Sequence, residues 1–134
     1  METDIIFRLN QGTAVTESEG KTMEKAYVFL ADGFEEIEGL TVVDILRRAG
    51  ADTQTVSVMG RKEITGSHRI TLQADLVFEE TSFEDGTLFV LPGGMPGTKH
   101  LGAHEGLTSL LKKAAVDRKV TFERLAVDTL QIAR

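Results

Sequence analysis

The 134-residue chain contains no cysteine. That single absence removes disulfides, thiolate metal centres and thiol catalysis together. Proline is almost missing as well: both copies, Pro92 and Pro96, fall in one stretch, LPGGMPG. Positive charge is in deficit, with 15 Lys and Arg against 21 Asp and Glu, a formal net charge of -6. A mildly acidic chain with no basic stretch is a poor partner for nucleic acids and for anionic membranes, so neither is expected. No apolar run approaches the ~20 residues that a membrane span requires. The first 22 residues lack the pattern of a secretory signal, and a cytoplasmic location is the default.

What is present points to one soluble globular domain, with 41% hydrophobic and 27% charged residues. Composition shifts at Met23. Residues 1–22 are polar apart from Ile5, Ile6 and Phe7, and are expected to be a disordered leader. From Met23 the pattern sharpens. Ala26 to Ala31 (AYVFLA) is a short apolar run, as expected of a strand covered on both faces. Ile37, Leu40, Val43, Leu46 and Ala49 then recur at three-residue spacing and predict a helix with those residues on its buried face. Arg47 and Arg48 fall in its last turn and Gly50 at its cap.

Thr53 to Val58 alternates as a strand, Gly60 to Gly66 is turn-rich, and Ile70 to Val77 forms a short extended excursion. Thr87 to Leu91 is a further buried strand. Leu107, Leu110, Leu111 and Ala114 mark a second amphipathic helix. This order predicts an α/β fold: a parallel sheet with helices on its faces. Ligands gather at the carboxyl ends of such strands, where two loops qualify, Asp32 to Glu38 and Pro92 to Thr98.

Gly93 and Gly94 can adopt positive φ and bring backbone N–H groups close to a ligand, as oxyanion and phosphate sites do. A tight strand exit with no ligand explains the same glycines equally well. The stretch matches neither the dinucleotide fingerprint nor the P-loop. In ADGFEEIEG, Glu35 and Glu36 suit the positive end of a helix dipole. Glu38, one position past Ile37, can lean toward the strand ends and exchange protons with a neighbour. His100 and His104 are four apart, but no third ligand follows at a recognisable spacing, so a solvated helix start is the expected reading and no metal site is assigned. His68 is expected at the surface.

Three stretches, KAYVFLADGFEEIEGLTVVDILRRAGA, EITGSHRITLQAD and FVLPGGMPGTKHL, occur in order and at the right separations to resemble the N-terminal half of the ThiJ/PfpI family, from Met23 through Lys119. The resemblance implies a flavodoxin-like sandwich of the class I glutamine amidotransferase-like kind, a homodimer, and no cofactor. It also implies a cysteine nucleophile on a sharp strand-to-helix turn. Family members are described as glyoxalases acting on 2-oxoaldehydes, deglycases, redox-responsive chaperones and, in other branches, peptidases. By resemblance, Glu38 matches a protonated acid that hydrogen-bonds the thiolate. Gly94, following Gly93 in the LPGG loop, matches a backbone donor to the oxyanion.

The departure from the family comes after Lys119. DRKVTFERLAVDTLQIAR stands where a buried strand leading to the cysteine turn belongs. The candidate catalytic set is therefore Glu38, Gly93 and Gly94 without a nucleophile, on an α/β domain incomplete at its C-terminal side. The leading expectation is a catalytically silent family member that self-associates. One alternative is a non-catalytic dimerisation module closed by a helix from Val120 to Arg134 using Phe122, Leu125, Ala126, Leu130 and Ala133. The other is a small flavodoxin-like phosphate-binding domain.

Overall fold

The computed structural model describes the backbone of residues 4–9, 24–117 and 120–125, and the side chains of residues 24–116. The elements in order are β1 (Asp4–Leu9), β2 (Lys25–Leu30), α1 (Glu36–Arg48), β3 (Asp52–Ser57), β4 (Glu63–Thr65), β5 (Thr71–Gln73), β6 (Leu76–Val77), β7 (Leu88–Leu91), α2 (Gly97–Ala103), α3 (Glu105–Asp117) and β8 (Val120–Leu125). A six-stranded sheet runs β6-β3-β2-β7-β1-β8, and β4 and β5 form a separate antiparallel pair.

The predicted α/β architecture follows from how β2 divides its side chains. Tyr27, Phe29 and Ala31 enter one core cluster with Leu101, Leu107 and Ala114 from α2 and α3. Ala26, Val28 and Leu30 enter a second with Val42 and Val43 from α1. Alternate residues of a strand point to opposite faces, so a nearly continuous apolar run supplies two cores at once. β7 does the same, with Phe89 in the first cluster and Leu88 and Val90 in the second.

Three expectations are corrected. The buried side of α1 is Glu38, Gly39, Val42 and Val43, whereas Ile37 and Ile45 are 61% and 57% exposed. The reason is geometric: each three-residue step turns a helix by ~300°, so a line from Ile37 to Ala49 sweeps far round the axis and cannot stay on one face. The helix marked by Leu107 to Ala114 is α3, as predicted, but it does not reach back to His100: a separate short helix, α2, ends at His104, whose backbone is extended. The turn-rich segment before Gly66 contains β4.

The leader and tail also depart from expectation. Asp4–Leu9 is a strand, inserted antiparallel between β7 and β8 with Ile5 opposite Leu91 and Phe7 opposite Phe89 and Phe122. The other sheet pairings, β2 with β3, β2 with β7 and β3 with β6, are parallel. A strand edge presents unpaired N–H and C=O groups, and the apolar triplet Ile5–Phe7 gives β1 the composition to fill it. Val120–Leu125 is a strand rather than the start of a closing helix, because VTFERL is rich in strand formers and β1 offers it a partner. Residues 1–3, 10–23 and 126–134 of the expected leader and tail lie outside the described residues.

The Phe89 ring is fully buried and packs against Tyr27, Phe29 and Phe83 with centroids 6.2, 5.7 and 6.4 Å away. Truncation to alanine leaves a cavity at the sheet centre, so Phe89→Ala is expected to lose about 3–5 kcal/mol of unfolding free energy. Urea denaturation of the two proteins measures the loss.

Candidate functional site

The two loops singled out in the sequence meet at the carboxyl ends of β2 and β7. The Glu35 N–H donates to Gly93 O at 2.9 Å, and the Gly97 N–H donates to Gly33 O at 3.1 Å. Such close approach needs glycines. A Cβ on Gly33, whose φ is +88°, would land on Pro96, and one on Gly97 would meet the Phe34 Cα at 2.7 Å. Gly94 has φ +106°, and a Cβ there would strike the Glu35 backbone nitrogen. Each loop is shaped by the absence of side chains on the other.

This seam brings together the acid and the donors anticipated from the sequence. Glu38 is 4% exposed, and its Oε1 accepts the Gly93 N–H at 3.0 Å across 55 residues of chain. A buried carboxylate needs such a partner, since an unsatisfied one costs several kcal/mol. The Gly94 amide follows directly, is buried, and donates to no protein acceptor among the described residues. Beyond it the Gly94 carbonyl accepts the Thr98 N–H and the Thr98 hydroxyl, both at 2.8 Å, which fixes the loop to the start of α2. Chemically the arrangement is an acid side chain bonded to one amide of a glycine loop whose next amide has no protein acceptor among the described residues, at the end of a parallel strand.

The other two glutamates have different tasks. Glu35 caps α1, its Oε1 accepting the Ile37 N–H at 2.7 Å. Glu36, read from the sequence as a dipole partner, is 4% exposed and braces the turn between β4 and β5. Its Oε2 accepts the His68 and Ile70 N–H groups at 2.9 and 3.2 Å, and its Oε1 lies 2.9 Å from His68 Nδ1. Burial works to raise the Glu36 pKa, but the hydrogen bonds from the His68 side chain and from backbone amides outweigh it and hold the carboxyl below its usual range. The same hydrogen bond holds the exposed His68 imidazole above its ordinary value. Periodicity gave no hint of this pairing, whose local signal is only that Gly66 has no side chain where Glu36 must lie.

Asp32 completes the support of the first loop. It accepts the Thr65 N–H at 3.0 Å and pairs with Arg61, while the Gly33 N–H donates to Thr65 O at 2.8 Å. The His100 Nδ1–H donates to Asp32 O at 2.9 Å. His104 is turned elsewhere: its Nδ1 accepts the Leu107 N–H at 2.9 Å, capping α3, so its Nε2–H donates to Glu79 at 2.8 Å. That bond holds the Glu79 carboxyl below its usual range. The two histidines thus serve separate partners.

A parallel sheet with interlocked glycine loops at its strand ends defines the α/β class whose ligand sites lie at carboxyl edges. Within that class the chain belongs to the DJ-1/PfpI family, whose model matches residues 24–123 and so runs past Lys119 into β8. It is 30% identical over 122 residues to protein DJ-1 homolog B of Arabidopsis thaliana, covering 86% of this chain and 28% of that one. It is also 30% identical over 95 residues to a deglycase of Thermococcus kodakarensis, covering 71% of this chain and 56% of the deglycase. Among solved structures it resembles oxidized DJ-1 of Toxoplasma gondii, with a TM-score of 0.62 and 34% identity over 67% of this chain and 49% of that one. The chain therefore spans about a quarter to a little over half the length of these relatives.

Two outcomes are expected from this geometry. Gly94→Ala forces a left-handed backbone onto alanine, costing about 1–3 kcal/mol, and adds a backbone collision; thermal unfolding should show a lower midpoint. Glu36 contributes stability that is present above the ordinary carboxylate range and is lost as pH falls through its depressed folded value. His68 contributes stability that is present below the ordinary imidazole range and is lost as pH rises through its elevated folded value. The midpoint gap between wild type and Glu36→Gln should accordingly be widest at mildly acidic pH and narrow to either side.

Proposed function

We propose that this chain holds the acid-and-amide half of a DJ-1-type site for reactive aldehydes or glycated groups, and that without a thiol it does not turn them over. The observation carrying this reading is the Gly93 N–H on the buried Glu38 carboxylate, with the Gly94 amide beside it and no cysteine in the chain. In this reading Glu38 is the proton-sharing acid and Gly94 the oxyanion donor. The relative named a deglycase supports the substrate class. A thiolate is the nucleophile at neutral pH because of its low pKa and high intrinsic reactivity, and a hydroxyl needs an adjacent base to replace it. No cofactor enters the scheme, and a cytoplasmic location remains part of it on sequence grounds alone.

Purified protein incubated with methylglyoxal should form lactate no faster than buffer. Turnover above that control, abolished in Glu38→Gln, would overturn the proposed silence.

A specific observation also favours self-association. Ile37, Leu40 and Ile45 are 61%, 38% and 57% exposed on α1, apolar groups left outside both core clusters. Large apolar side chains left exposed on a helix are available to pack against a second copy of the chain. We infer a homodimer built on this helix. Sedimentation should find a dimer that Ile37→Glu shifts to monomer, whereas a wild type that stays monomeric across the micromolar range would exclude it.

A further inference from the structure

A second cluster of chemically capable groups lies beside the Glu38–Gly93 contact and is not used by it. Glu35, Glu36 and His68 each present one ligand-type atom, and these atoms all lie within 4.8 Å of one another. Glu35 and Glu36 open α1, while His68 arrives from the turn between β4 and β5, 32 residues further along the chain. The charge balance is uneven. Among the described residues neither carboxylate is paired with a lysine or arginine, and the imidazole is the side-chain hydrogen-bond partner of Glu36, charged only when protonated. Arg61, which reaches the neighbouring loop, is engaged by Asp32. Two carboxylates facing one imidazole, with Glu36 almost removed from water, leave negative charge that solvent screens poorly.

We propose that Glu35, Glu36 and His68 form a binding site for a divalent transition-metal ion of the zinc, cobalt or nickel class. Imidazole with two carboxylates is a borderline donor set that suits these ions better than magnesium or calcium, which favour oxygen ligands alone. His68 Nδ1 and Glu36 Oε1 are 2.9 Å apart, a few tenths of an ångström inside the ~3.3 Å edge of a tetrahedron with ligands ~2.0–2.1 Å from the ion, so a small outward shift of the exposed imidazole accommodates it.

Without metal, a proton on Nδ1 bridges these two atoms. Metal binding places the ion between them and releases that proton to solvent. The Glu36 carboxylate is already oriented, because Oε2 stays bonded to the His68 and Ile70 amides while Oε1 turns to the ion. Glu35 supplies the third ligand from the edge of the site, and a fourth position is left to water.

The test uses the full chain stripped with a chelator, with Co2+ followed by visible absorption and Zn2+ by calorimetry. Glu35→Gln and His68→Gln are the variants, chosen because neither side chain lies in the core, and circular dichroism checks that both are folded. Wild type is expected to bind one equivalent, with a Co2+ spectrum of nitrogen and oxygen ligation. Each variant should weaken binding about tenfold or more, by analogy with lost metal-site partners. Absence of Zn2+ binding by wild type would overturn the proposal, as would wild-type affinity retained in either variant. Mg2+ giving the same heat as Zn2+ would also overturn it, since that is how a diffuse acidic surface behaves.

Discussion

A carboxylate taken out of water has to be hydrogen-bonded, and the region around the strand ends of this protein is organised by two of them. Glu38 is satisfied by the Gly93 amide and Glu36 by the amides of His68 and Ile70. Both acids lie in the first turn of α1, two residues apart, yet they hold different parts of the chain. One secures the loop after β7, the other the turn between β4 and β5. The first turn of a single helix therefore sets the relative placement of three segments that are remote in sequence.

That dependence explains the glycines. Two backbones can approach within hydrogen-bonding distance over several residues only where side chains are missing, and Gly33, Gly94 and Gly97 supply the missing volume along one seam. The seam leaves the Gly94 amide buried without a protein acceptor among the described residues, beside an acid whose position is fixed. A donor and an acid held in that way form a preorganised electrostatic environment. The chain does not contain the sulfur that the family resemblance places within it.

The sheet carries a related adjustment. β1 enters antiparallel between β7 and β8, so the edge of β7 is paired by the chain's own early residues. Pairing removes an exposed edge, which is a standing risk of aggregation in an open parallel sheet. Among the described strands, the sheet bonds of β8 are made to β1, so the position of β8 depends on an element that the composition of the first 22 residues does not suggest.

Much of this was legible in residues alone. The apolar runs of β2 and β7, the helix ended by Arg47 and Gly50, and the glycine loop after β7 are local patterns, and local patterns survive in one dimension because strand alternation and helix capping depend on near neighbours. The family resemblance rests on the same stretches. What only the tertiary structure decided is which face of α1 is buried, the role of Glu36, the separate duties of His100 and His104, and the strand made by Asp4–Leu9. Each is settled by a partner 25 or more residues away, such as His68 for Glu36, Asp32 for His100, Glu79 for His104 and Leu91 for Ile5. No periodicity encodes such a partner; packing and the demand that buried polar groups be satisfied select it only when the chain is folded.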